Sequence, residues 1–297
     1  MAEGRRVAIL GIGRMGGAMA GTLRRARFDV TLWNRTRSAA EAVATHVGAE
    51  VAASAREAVA KADVVISSLA DDAAVQAVYT GTVGAAAGLR EGTVVLETST
   101  IAPETVQAIR PAVEARGAAL LDAPVSGSVS LVEKGGLTIM VGGDAAALER
   151  ARPVLEALAA KVFHVGGLGA GATVKLAVNA LVNAINVGLS EALVLAEKAG
   201  VDRARAYDVF AAGAGAAPFV LYKRAAFEHP EETPVAFSLD LAAKDLGLIL
   251  GLARQVGARM DQAAVNRETA RAAIAAGLGR QDMSAIATFL RTQGTAG

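Results

Sequence analysis

No cysteine occurs among the 297 residues, which removes disulfides, thiolate metal ligands and a cysteine nucleophile and fits a reducing compartment. Histidine is scarce. His46, His164 and His229 are scattered without ligand spacing, so no metal centre is expected. Neither sign of charge is in excess: 30 basic and 29 acidic side chains leave +1, too little for a long-range field that recruits nucleic acid or an anionic bilayer. Although 53% of the residues are hydrophobic, no uninterrupted, strongly apolar run reaches the roughly 18 to 20 residues of a membrane span. The expectation is a soluble protein with no nucleic-acid or membrane partner. Near the start, the pair Arg5-Arg6 precedes an apolar run that breaks at glycines and Arg14 with no cleavage pattern, so a cytoplasmic location is expected.

What is present is length enough for two domains, at roughly 100 to 200 residues each. Up to about residue 163, short β-branched runs alternate with alanine-rich helical stretches, the pattern of a parallel sheet covered by helices on both faces. Six strands are expected: Val7–Leu10, Val30–Trp33, Val64–Ser67, Val94–Glu97, Ala119–Leu121 and Thr138–Val141. Helix starts are marked by the capping box Ser54-Ala55-Arg56-Glu57 and by Pro103 in a first turn. After the glycine-rich stretch 166–171 the alternation stops and helical periodicity takes over. The expected domains are therefore 1–164 and 165–297, an α/β sheet domain followed by an all-α one.

Gly11-Ile12-Gly13-Arg14-Met15-Gly16 follows the first strand and opens a helix, so its glycines allow a tight turn while helix N–H groups face a pyrophosphate. A chance GxGxxG lacks this strand, helix, strand context. About 20 residues on, an NAD site usually places an acid for the ribose hydroxyls. Here the strand tip reads Asn34-Arg35-Thr36-Arg37 instead, with no carboxylate to repel a 2′-phosphate and two guanidiniums able to pair with one. NADP is the expected cofactor, with NAD as the alternative. Arg35 and Arg37 also admit the plainer reading of solvated loop charges.

Between Lys161 and Glu191 the only formally charged side chain is Lys175. On a helix, Lys175, Asn179, Asn183, Asn186 and Ser190 fall within a stripe of about 80°, with apolar residues on the remaining surface. That stripe is expected to face water or a polar cavity. Either the lysine snorkels to the surface beside satisfied asparagines, or the stripe lines a cleft where desolvation tunes the amine for proton transfer. A second segment, Asp122-Ala123-Pro124-Val125-Ser126-Gly127-Ser128, follows a strand at the edge where doubly wound sheets carry ligands. Its hydroxyls and N–H groups suit a carboxylate, and an ordinary Pro-Gly loop is the competing reading.

These residues together resemble the β-hydroxyacid dehydrogenases, relatives of 6-phosphogluconate dehydrogenase that include 3-hydroxyisobutyrate dehydrogenase and the glyoxylate/succinic semialdehyde reductases. The resemblance spans the chain in five ordered motifs: the glycine loop, Thr98-Ser99-Thr100, the 122–127 segment, Gly169 to Lys175 with Asn179, and Lys244-Asp245-Leu246. It implies an N-terminal Rossmann sheet and an all-α C-terminal domain. It further implies NAD(P)-linked hydride transfer between a short β-hydroxyacid and its semialdehyde or keto partner, with Lys175 as acid/base. By the same resemblance Ser126 and Gly127 would bind the substrate carboxylate and Asn179 would orient Lys175 or the substrate. Leu69, Thr100 and Lys244 would join the glycine loop and residues 34–36 at the cofactor, and the protein would be a homodimer or homotetramer. Two departures are Ser128 where the family usually has glycine and Val178 in place of a first asparagine. The alternatives are an imine reductase, which shares the glycine loop but generally lacks the lysine, and a non-catalytic dinucleotide-binding protein.

Overall fold

A computed structural model describes residues 5–81 and 84–293. Met1–Gly4, part of the start read above for a leader, lie outside the described residues. The chain divides into two compact units, Met1–Lys175 and Leu176–Gly297.

In the first unit β1 (Arg6–Leu10), α1 (Arg14–Arg25), β2 (Asp29–Trp33), α2 (Arg37–Val47) and β3 (Glu50–Val51) form one half of a doubly wound sheet. Next come α3 (Ala55–Val59), β4 (Val64–Ser67), α4 (Asp72–Thr80), β5 (Val94–Glu97), α5 (Pro103–Glu114) and β6 (Ala119–Asp122). The strand order β3-β2-β1-β4-β5-β6 is parallel throughout. Beyond it, β7 (Val125–Ser126), α6 (Val129–Glu133), β8 (Leu137–Gly142), α7 (Ala145–Leu158) and β9 (Ala159–Gly166) complete nine strands among the described residues. Here the sheet departs from the expected all-parallel form, since β8 runs antiparallel to β6 and β7. All six expected strands are present. The three unanticipated ones are two-residue pieces or, for β9, a strand whose burial pattern lacks a buried face to betray it.

Alternation at period two sends Val7, Ile9, Val64, Ile66, Val94 and Leu96 to one helical layer. Ala8, Leu10, Val65 and Val95 face the other, as a sheet covered on both sides requires. The capping box forms, with Ser54 Oγ accepting from Glu57 N–H at 3.1 Å, and Pro103 sits in the first turn of α5.

The second unit carries α8 (Ala170–Lys198) from its start at Leu176 onward, then α9 (Arg203–Ala212), α10 (Pro218–Glu228), α11 (Leu239–Val256), α12 (Asp261–Ala273) and α13 (Ala285–Thr292). Its core gathers Leu176, Leu193, Tyr207, Phe227, Leu246 and Met283. By length and composition α8 is apolar enough to cross a membrane, which corrects the expectation that no segment is. Its buried asparagines and Ser190 nevertheless hydrogen-bond within this unit, as in the core helix of a soluble domain. The expected boundary at 164/165 falls inside β9, whereas the compact units meet within α8, because the first turn of that helix packs on the sheet through Ala172.

One polar group lies deep in the sheet. Glu97, 1% exposed, receives the Ser67 hydroxyl at 2.5 Å and the Ser99 N–H at 2.8 Å, while Tyr79 OH lies 2.8 Å from the same serine. Burial pushes the Glu97 carboxyl up to about 7 from its ordinary 4.5. Since the folded value is the higher one, the stability this group contributes is full below pH 4.5 and is lost as pH rises through about 7. The isosteric E97Q is expected to gain on wild type between pH 5 and pH 8 by up to about 3 kcal/mol in urea unfolding. Identical pH dependence in the two proteins would mean that Glu97 titrates like a surface acid.

Candidate active site

The sheet's carboxyl edge is built by register. Gly11, at the end of β1, has φ +93, and a Cβ there would run into the carbonyl of Ser68 beside β4. Only glycine takes that conformation and that approach without strain. Gly16 packs in turn on the carbonyl of Gly11. The helix that follows has Gly13 as N-cap, with no side-chain cap and no acid in its first turn. Its leading N–H groups, at Arg14, Met15 and Gly16, thus retain the donors and positive end that suit a pyrophosphate. These residues fit a dinucleotide.

Asn34 ties the adjoining loop to this one. Its Oδ1 accepts from Ile12 N–H at 3.0 Å and its Nδ2 donates to the Thr36 carbonyl at 2.9 Å, so the amide is a brace between the two cofactor loops. The two arginines separate. Arg37 is committed to Glu41, one helical turn on, at 2.7 Å, whereas Arg35 is exposed and makes no ion pair or hydrogen bond among the described residues. Arg35 is therefore the guanidinium available to a 2′-phosphate.

Leu69, half-buried after β4, donates its N–H to Ser99 Oγ at 2.8 Å, so the loops after β4 and β5 are locked together, with half-buried Thr100 following. Glu97 stands beneath both loops through Ser67 and Ser99.

The 122–128 segment leaves the next strand. Ser126 pairs with Thr138 in β8 and is half-buried, and Gly127 is exposed at φ +139. Ser128 Oγ lies 2.8 Å from Ser130 Oγ, so the hydroxyl that departs from the family pattern is occupied along its own loop. Lys175 belongs to this same compact unit, half-buried on the second turn of α8.

In the helical unit Asn179 Nδ2 donates to Asp245 Oδ2 at 2.6 Å, and Lys244 Nζ lies 3.1 Å from Asp245 Oδ1. Asp245 was visible only as part of a motif. Its contact with Asn179 spans 66 residues, and no local spacing announces it. The remainder of the expected polar stripe is corrected: Asn183, Asn186 and Ser190 are buried and face neither water nor a cleft. Asn183 and Ser190 bond back to carbonyls one turn earlier, and Asn186 holds the Met283 carbonyl at 2.9 Å. They satisfy a packed interior, which a polar face on a helix does equally well.

The family model for the NAD binding domain of 6-phosphogluconate dehydrogenase matches residues 6–166. The model for the NAD-binding region of NADP-dependent 3-hydroxyisobutyrate dehydrogenase matches residues 169–290. NAD-dependent L-serine dehydrogenase of Pseudomonas aeruginosa is 42% identical over 198 residues, 67% of this chain and 66% of that enzyme. Glyoxylate/succinic semialdehyde reductase 1 of Arabidopsis thaliana is 34% identical over 280 residues, 94% of this chain and 96% of that one. The solved 3-hydroxyisobutyrate dehydrogenase of Mycobacterium tuberculosis with L-serine superposes at a TM-score of 0.85 and 33% identity, covering 97% of this chain and 99% of the other. A solved imine reductase from Pseudomonas sp., at 23% identity and a TM-score of 0.64, shares the fold alone. With both halves matched in order, the chain belongs to the β-hydroxyacid dehydrogenase family, NAD(P)-dependent oxidoreductases that act on the CH–OH group of hydroxyacids.

Proposed function

We propose that the chain is an NADPH-linked reductase of a short, carboxylate-bearing aldehyde or keto acid, working reversibly toward the β-hydroxyacid, with Lys175 as general acid and base. The observation that carries this reading is the lysine itself. It is the sole charged side chain between Lys161 and Glu191, half-buried near the head of a helix that starts at the sheet's ligand edge. The nicotinamide, when bound, supplies or accepts the hydride at the substrate carbon. In reduction Lys175 Nζ gives a proton to the carbonyl oxygen, and in oxidation it takes the hydroxyl proton back. Ser126 Oγ and the Gly127 N–H hold the carboxylate, so that the carbonyl is positioned rather than encountered. Asn179 stands one turn along the same helix, gives one Nδ2 hydrogen to Asp245, and is proposed to orient the lysine or the substrate. Lys244 is the proposed cofactor contact of the helical unit.

Among substrates, glyoxylate, succinic semialdehyde and the oxidation of L-serine or 3-hydroxyisobutyrate follow from the relatives' activities. NADPH is favoured over NADH by the exposed Arg35. The proposal includes a homodimer or homotetramer. The helix α8 leaves Leu181 63% and Leu195 72% exposed at heptad spacing on either side of Gly188, an apolar seam that a second copy would cover.

K175A is expected to lose aldehyde reduction while still binding NADPH, with glyoxylate and succinic semialdehyde as probes. An unchanged rate, or faster turnover of a cyclic imine than of any aldehyde, would contradict the reading. R35D is expected to weaken NADPH far more than NADH and R37D to do so only slightly, by fluorescence titration. Equal loss of both cofactors in R35D would remove the phosphate contact. Light scattering of the wild type is expected to give a dimer or tetramer that L181E/L195E dissociates, and a monodisperse wild-type monomer at micromolar concentration would refute the seam.

A further inference from the structure

Asp122 closes β6 and is 1% exposed, and among the described residues no cation is paired with it. Its Oδ1 accepts from the Gly169 N–H at 2.8 Å and its Oδ2 from the Ala172 N–H at 2.7 Å. Those donors head α8, and the first N–H groups of a helix lack intrahelical partners. A cap normally comes from the residue just before the helix. Gly169 has no side chain to offer, and the cap arrives instead from 47 residues upstream.

The fit is steric as well as polar. A Cβ on Gly171 would stand 2.5 Å from the Met140 carbonyl oxygen and 2.9 Å from Asp122 Oδ2, and one on Gly142 would collide with Asp122 Oδ1. Bare backbone on both sides lets the helix head sit directly on the carboxylate.

Two consequences concern the proton-transfer group. The strand end that holds the helix head also releases the Ser126–Gly127 loop, so a single side chain sets the helix bearing Lys175 against the loop proposed for the substrate carboxylate. The positive end of a helix disfavours an ammonium in its first turns, and an anion placed there offsets it.

We propose that Asp122 is a positioning residue for the reaction: it fixes the head of α8 relative to the substrate loop, and its negative charge keeps the Lys175 amine protonated. This rests on the reading of Lys175 as acid and base. Asp122→Asn keeps the shape, removes the charge and turns an N–H donor toward a helix N–H. In glyoxylate reduction the alkaline limb of kcat is then expected to move to lower pH by about one unit, a loss of about tenfold on that side. The Kd for NADPH should stay unchanged. Gly171→Ala, which lifts the helix head off the carboxylate without touching the charge, should move the limb the same way. A limb that stays in place in whichever variant folds overturns the proposal, whatever happens to the size of kcat. Failure of both variants to fold overturns it too, in favour of a purely architectural carboxylate. Lys175→Ala, run alongside, separates the two ideas: wild-type turnover there would sink the acid/base reading itself, whereas a dead Lys175→Ala beside an unmoved Asp122→Asn limb sinks only the role of Asp122.

Discussion

The contact on which the site depends is a buried carboxylate beneath the head of a long helix. Removing a charge from water costs several kcal/mol unless hydrogen bonds replace the lost solvent, and Asp122 meets that demand with backbone donors that themselves lack partners. Each side satisfies the other. Because the arrangement closes only with glycine at 142 and 171, the position of the α8 head on the sheet is set by sterics and electrostatics together. The lysine proposed to carry the proton inherits that position.

Two acids stand side by side across the same edge, Glu97 opposite Asp122 in adjacent parallel strands. Burial raises both, and the negative charge of Asp122 adds to the upward push on Glu97. Their surroundings then separate them. Glu97 has serine hydroxyls and one N–H, which also suit a protonated carboxyl, while Asp122, among the described residues, meets only N–H donors, which suit the ionised form. One edge thus holds a carboxyl that braces the loops after β4 and β5 near neutrality and a carboxylate that braces a helix.

Much of this was legible in the sequence because the governing physics is local. The glycine loop, the six expected strands and the capping box depend on neighbours a few residues away, and each is where periodicity and turn chemistry put it. The sequence reading treats Arg35 and Arg37 alike, and the structure separates them, since Glu41, one helical turn beyond, takes Arg37. What escaped was set at long range. A polar stripe from Asn179 to Ser190 states that one helix face needs partners, and it does not say whether they are water, substrate or the Met283 carbonyl. In the sequence Asp122 and Asp245 are motif letters and no more. Their roles are fixed by residues 47 and 66 positions distant, which no spacing rule reaches. β9 escaped for a different reason, as a strand without a buried face that pairs with β8 beyond the main strand order.

The central claim is that the Lys175 ammonium is the proton donor of the reduction. A 15N NMR titration of the lysine amines in the NADPH-bound protein, with Lys175 assigned by its loss in the alanine variant, measures that group's midpoint directly. The account predicts that it coincides with the alkaline midpoint of the reduction rate. A Lys175 midpoint well removed from the kinetic one, or a rate that runs level through it, would contradict the account.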